Sequence, residues 1–252
     1  MLIMTHATAR LHFLSELISY RCLTIRQCDA VGLASMQMAR KYVRELVREK
    51  LVSITPFQTE GNNGRPENLI LPTPKGLKSI GSAGKPIEQR LFAHQYYLNW
   101  CRIRLGALEQ FGLQVQFYTR PIGDLWPDGT LVLRSKKRNK SLLFFVEMDM
   151  GTESLSGELQ SKVLAYQGLF RSGAYTELGP SFHGFRVLFV FSDRNRLRGF
   201  TRLCERVGPC LFVWSAAFES LDTSGAAAPI WYRGSDVEQQ LSTIGSLAPT
   251  PR

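Results

Sequence analysis

The 252-residue sequence predicts a mixed α+β (α/β) fold in two domains joined by a short linker of small residues. Three observations carry this expectation. The first eighty residues read as short helices followed by a hairpin with a polar, glycine-rich tip. The stretch "GSAGKP" (81–86) then breaks the pattern. Beyond it, unbroken apolar runs such as "FRVLFVF" and "CLFVW" alternate with helical spacing, as buried strands of a mixed sheet do when helices separate them. Domains are expected at 1–82 and 83–235. Residues 236–252 hold few large apolar side chains and read as a fraying tail.

In chain order, residues 8–20 carry Leu11, Leu14, Leu17 and Ile18 at helical spacing. Residues 24–33 form a second short helix with Thr24 as N-cap, ended near Gly32. Residues 35–52 form a third, capped by Ser35, whose Ala39, Val43, Leu46 and Val47 make a core stripe. Its opposite face presents Gln37, Arg40, Lys41, Arg44 and Arg48. A strand (51–55), a tip (60–66), a returning strand (67–71) and a helix after Pro74 complete the first domain. Helix, helix, basic helix and hairpin in that order describe a winged helix-turn-helix. "GRPENLILPTPKGLKSI" resembles the wing and following helix of many winged-helix DNA-binding domains, in which the third helix enters the major groove and the wing grazes the backbone. That resemblance makes Gln37, Arg40, Lys41, Arg44, Arg48, Arg65 and Lys75 the candidate DNA contacts. The same pattern also describes a solvated basic helix beside a plain hairpin, or a protein-docking module.

Lys and Arg number 31 against 21 Asp and Glu, a net charge of +10, which favours a polyanionic partner and nucleic acid first. The excess is divided evenly: 11 basic and 6 acidic residues in 1–80, and 20 and 15 in 81–252. Both halves are therefore candidates to face DNA. Five cysteines, an odd number without a CxxC pair, read as reduced thiols of a cytoplasmic protein. No secretory leader and no apolar run of membrane-spanning length is present, so no membrane association is expected.

The second domain reads as helix 87–111, strand 113–119, a hairpin over 127–149, helix 155–170, strand 185–192, helix 194–206, strand 210–214, helix 215–221 and a last strand near 229–232. The hairpin "PDGTLVLRSKKRNKSLLFFVEMD" gathers three acids at its open end. With the turn centred between Lys137 and Arg138, Asp128 falls opposite Glu147, and Glu147 and Asp149 share one face. A slip of one residue would spoil this alignment, and the turn alone leaves the register open. Carboxylates so placed lie about 5 Å apart. Two like charges at about 4 Å repel by about 1 kcal/mol in water and about 4 at an effective dielectric of 20. A divalent cation removes that conflict, and oxygen-only ligands suit Mg²⁺ or Mn²⁺ on Asp128, Glu147 and Asp149. The alternative is that the acids mark solvated strand ends, although Glu147 and Asp149 close an unbroken apolar run.

"PDG…FFVEMDMGTES…K" resembles the PD-(D/E)xK nuclease superfamily, which has the restriction-endonuclease-like fold, and looks most similar to the plasmid replication-relaxation family and MobC-type relaxases. The resemblance implies a winged helix followed by a restriction-endonuclease-like mixed sheet flanked by helices. It implies catalytic roles for Asp128, Glu147, Asp149 and Lys162, with Asp128 and Glu147 as metal-binding acids. Asp149 stands where the superfamily pattern has a lysine, and Lys162 in the next helix would supply the amine. His94, Glu109, Glu153 and Glu158 are secondary candidates, each more readily read as structural or surface.

No histidine cluster of the tyrosine-relaxase kind, P-loop, GxGxxG or GxSxG is present. "SKKRNK" reads equally as a solvated turn or as a phosphate-gripping loop. The expected function is a metal-dependent DNA endonuclease or nickase of a plasmid or other mobile element, acting on double-stranded DNA such as an origin. Relaxosome or replication proteins are the further partners, and an oligomer is compatible with the winged helix. The alternatives are a non-catalytic replication or transcription regulator on a degenerate nuclease fold, or a docking protein that recruits a relaxase or replisome.

Overall fold

The computed structural model describes residues 6–58, 66–135, 140–179, 182, 184–208 and 210–234. The chain divides into two compact units, Met1–Ile103 and Arg104–Arg252.

In the first unit, α1 (His6–Ser19), α2 (Ile25–Ala30) and α3 (Met36–Arg48) precede an antiparallel hairpin of β1 (Val52–Phe57) and β2 (Glu67–Pro72), and α4 (Pro74–Ser79) follows. The caps lie where side-chain chemistry predicts them. Thr24 and Gln27 form a reciprocal capping box on α2, Ser35 accepts from Met38 N–H on α3, and Thr73 accepts from Gly76 N–H on α4 with Pro74 in the first turn. The core stripes keep the expected Leu14, Leu17, Ala39, Val43 and Leu46 and differ at their edges. Phe13 and Tyr42 are buried with rings 5.5 Å apart, whereas Leu11 and Val47 are exposed. The two aromatics meet between α1 and α3 and take the buried places expected of Leu11 and Val47.

The two faces of α3 also sort its charges. Its acids Glu45 and Glu49 face α1, where Arg10 reaches both and His6 Nε2 lies 3.0 Å from Glu45. Gln37, Arg40, Lys41, Arg44 and Arg48 are exposed on the other side, and no ion pair joins the four cations to another described residue. Lys75 donates to the Glu49 carbonyl at 2.9 Å and so closes the C-terminus of α3. Arg65 and the expected hairpin tip lie outside the described residues.

α5 (Phe92–Gly106) is shorter than the predicted 87–111, because residues 107–111 tighten into a 3₁₀ turn that Gly112 ends in a left-handed conformation. Its first turns pack with the first unit. Buried Asn99 donates to the Cys22 carbonyl at 2.5 Å, and buried Gln27 donates to the Tyr96 carbonyl at 3.0 Å. The chain therefore divides inside α5, at Ile103, and the small-residue stretch 81–86 joins elements of one unit.

The second unit is a six-stranded mixed sheet in sequence order, β3 (Leu113–Tyr118), β4 (Gly129–Ser135), β5 (Lys140–Asp149), β6 (Phe185–Phe191), β7 (Val213–Ala217) and β8 (Tyr232–Arg233). β3–β4–β5 run antiparallel, β5–β6–β7 parallel, and β8 antiparallel to β7. The parallel crossovers carry α6 (Gln160–Ser172) and α7 (Arg194–Val207), and α8 (Phe218–Ser224) follows β7. Leu159, Val163 and Tyr166 with Leu197, Phe200 and Leu203 pack on Leu143, Phe145, Val187, Phe189 and Phe191 of one sheet face. Three elements shift from expectation: β7 and α8 begin three residues late, and the last strand is only Tyr232–Arg233. Cys210 and Phe212 are core-filling residues ahead of β7, and Trp231 is fully buried beside the short final strand, so apolar character there marks packing rather than pairing. The fold class is the expected mixed α+β. Among the described residues, no helix is long and apolar enough to cross a membrane. The tail 236–252 lies outside the described residues.

Candidate functional site

β4 pairs with β5 in the register Gly129↔Val146 to Ser135↔Lys140, which sets Asp128, just ahead of β4, opposite Glu147. The turn itself, 136–139, lies outside the described residues. Alternation along β5 then turns Glu147 and Asp149 to the face covered by α6 and α7, beside Phe189 and Phe191 of β6. Each carboxylate residue is only 3% exposed. A carboxylate buried among phenylalanines requires charged or hydrogen-bonding partners.

Glu147 finds them on α6. Tyr166 O–H donates to Oε1 at 2.5 Å and Lys162 Nζ donates to Oε2 at 3.0 Å. The donors are four residues apart and so share one helix face. Lys162 also donates to Glu153 Oε1 at 2.8 Å. Asp128 Oδ2 accepts the Met148 backbone N–H at 2.8 Å, continuing the hairpin ladder with a side chain. Burial, then the Asp128 charge, pushes the Glu147 carboxyl up to about 7, against the pull of Lys162 and Tyr166. Burial would lower the Lys162 ammonium, but Glu147, with Glu153 and Asp128, outweighs it and raises its pKa. The ammonium stays charged at neutral pH, and Glu147 is the group that titrates. Burial, then the Glu147 charge, raises the Tyr166 phenol well above its usual range.

Asp149 is held differently. Arg196 Nε donates to its Oδ2 at 2.6 Å, Arg196 Nη2 to Oδ1 at 3.4 Å, and Gly151 N–H to Oδ1 at 2.9 Å. Arg196 also donates to the Glu153 carbonyl, so one guanidinium ties the end of β5, the following loop and the first turn of α7. Asp149 thus serves as the acceptor of a buried ion pair, 15% exposed on the arginine side.

Of the sequence-predicted acids and lysine, Asp128, Glu147 and Lys162 come together, and Asp149 is engaged by α7. Glu153 joins the cluster through Lys162. Glu158 and Ser154 exchange side-chain to backbone hydrogen bonds, so Glu158 caps the wide π turn that enters α6. Glu109 is exposed in the 3₁₀ turn after α5, and His94 belongs to the first unit. Tyr166 and Arg196 are additions. Tyr166 is legible as the helical i+4 partner of Lys162 in "KVLAY", and Arg196 only as one basic residue of "DRNRLR".

Among the described residues, no three His, Cys, Asp or Glu side chains gather in metal-ready geometry. Mg²⁺ commonly rests on one or two carboxylates with water and substrate phosphate completing its shell. Asp128 and Glu147, opposite one another and both oxygen donors, fit that requirement, with Glu153 adjacent. Asp149 is not needed for it.

Residues 14–180 match the family described as replication-relaxation. The chain belongs to the replication-relaxation family. The matched span contains Asp128, Glu147, Asp149, Glu153, Lys162 and Tyr166 and ends before Arg196. No curated protein matches this replication-relaxation protein. Among solved structures, the restriction endonuclease FokI is similar at 14% identity and a TM-score of 0.31, over 85% of this chain and 43% of that one. The chain thus spans under half the length of FokI.

Two measurements test the site's physics. Arg196→Met leaves the buried Asp149 charge unpaired and is expected to cost about 3–5 kcal/mol in urea unfolding, while Arg196→Met with Asp149→Asn recovers much of the loss. A single variant as stable as the wild type would refute the pairing. Glu147 ordinarily titrates near 4.5 and here near 7, so the folded state binds the extra proton between those values. The cost of its buried charge is absent below about 4.5 and complete above about 7, so stability falls as pH rises through that window. Glu147→Gln lacks this titration. The wild type is expected to lose on the order of 3 kcal/mol relative to it across the window, and parallel pH profiles would contradict the assignment.

Proposed function

We propose that this replication-relaxation protein is a DNA-binding, metal-dependent endonuclease or nickase of a plasmid or other mobile element. The observation that carries the reading is the Lys162 ammonium on Glu147, with Asp128 directly opposite, at the end of a buried strand. The acids and lysine that the nuclease resemblance requires meet here even though the lysine comes from a later helix.

A Mg²⁺ or Mn²⁺ ion would rest on Asp128 and Glu147 and would lower the pKa of a bound water and offset phosphate charge. The chain's own groups have separate tasks. Lys162, charged throughout, neutralises a phosphate oxygen by exchanging its Glu153 contact for the substrate. Glu147, whose oxygens would share that ion with Asp128, keeps the Lys162 ammonium in place through Oε2. Tyr166 fixes the Glu147 carboxylate through Oε1. The first unit acts as a winged helix that lays the basic face of α3 in the major groove of double-stranded DNA.

A second reading, a non-catalytic DNA-binding replication or transcription regulator, is favoured by one observation. The position that would hold the nuclease lysine is an aspartate bound to Arg196. A nicking assay separates the two. Supercoiled plasmid with its cognate origin, protein and Mg²⁺ or Mn²⁺ is expected to give open circles, lost with Asp128→Ala and reduced at least a hundredfold with Lys162→Met. Tight footprints without nicking would favour the regulator. Arg40→Ala and Arg44→Ala are each expected to weaken duplex binding and reduce the slope of log K against log salt by about 1. Unchanged affinity in both would defeat the α3 assignment.

A further inference from the structure

Trp100, Trp214 and Trp231 are buried, whereas Trp126 is 73% exposed. An isolated exposed apolar side chain is ordinary, but the surroundings of this one are built to hold it. Ile122 and Leu125 exchange backbone hydrogen bonds of 3.0 Å in both directions, and Gly123 supplies the left-handed backbone the turn needs. Ile122 is anchored in the sheet core. Pro127 follows Trp126, confining Trp126 to extended backbone and fixing its own φ. Asp128 comes next, within about 7 Å along the chain, and its carboxylate is bound to the Met148 N–H. The indole is therefore exposed from a tethered loop, two residues ahead of Asp128.

Its chemistry suits one kind of ligand. The loop and site hold Asp124, Asp128, Glu147 and Glu153, and a lysine at position 126 would compete with any cation the acids gather. A neutral aromatic face instead binds a nucleobase, and a loop backbone already held in place leaves only the side chain to order. Within a closed duplex both faces of an internal base are already covered by its neighbours. Stacking on Trp126 is thus gained only where the strands have separated.

We propose that Trp126 stacks on an unpaired base beside the acid site, so that the substrate class of this site is single-stranded or locally melted DNA. The inference rests on the DNA-directed reading above and names the form of DNA that the second unit takes.

Trp126 dominates the solvent-exposed tryptophan emission, which makes binding at this position directly readable. Wild-type protein in EDTA is titrated with a mixed-sequence duplex, the same duplex with a central mismatched bubble, and the single strand, while anisotropy of labelled DNA reports binding. Bubble and single strand are expected to quench the red-edge emission, and the closed duplex to bind without quenching. Trp126→Ala is expected to bind bubble DNA about tenfold or more weakly with duplex affinity and melting temperature unchanged, and Trp126→Phe to restore most of the loss. Bubble DNA that binds without quenching, equal quenching by the duplex, or bubble affinity unaltered in Trp126→Ala each overturns the proposal while leaving the DNA-directed reading intact. If no form of DNA binds, the two fall together.

Discussion

Two carboxylates buried at the end of an apolar strand constrain the rest of the second unit. Glu147 and Asp149 sit on the same face of β5 as Phe145 and Leu143, and neither could remain there without partners. Each recruits its own. Glu147 takes Lys162 and Tyr166 from α6, and Asp149 takes Arg196 from α7. The two crossover helices are thereby locked to one strand by polar contacts as well as by packing. The rotation of α6 follows from the requirement that residues 162 and 166 both face the sheet.

The two pairs differ in what they leave possible. Asp149 and Arg196 form a closed unit, with the guanidinium also engaged by the Glu153 carbonyl. Such an arrangement holds structure and offers little to a ligand. The Glu147 pair remains open to chemistry, because Asp128 faces it, Glu153 shares its lysine, and burial moves its titration toward neutrality. Charge is segregated in the same way in the first unit. The acids of α3 are absorbed by α1, which leaves its basic face without an ion-pair partner among the described residues. Glu147 and Asp149 are thus buried against cations in the second unit, while the cations of α3 are exposed on the first.

Much of this was readable from residue order. The capping residues Thr24, Ser35 and Thr73 announce their helices because the relevant hydrogen bonds span only three residues. The alternation of "FFVEMD" puts Glu147 and Asp149 on one face, but the register that sets Asp128 opposite Glu147 comes from the β4–β5 ladder itself. Boundaries were less accessible where an apolar residue packs without pairing. Cys210, Phe212 and Trp231 read as strand yet fill core around short strands. The edges of the α1 and α3 stripes were set by the Phe13–Tyr42 contact, which joins residues 29 positions apart.

By itself the sequence determined the order of elements, the three acids at one hairpin end and the basic face of α3, all of which follow from short-range periodicity and capping. Only the tertiary structure decided which acids act together. Asp149 stands two residues from Glu147 on the same face of the strand, but its cation comes from 47 positions away in α7 rather than from α6. A buried charge must be neutralised by whatever cation the fold brings within reach, and no local pattern encodes which helix will arrive there.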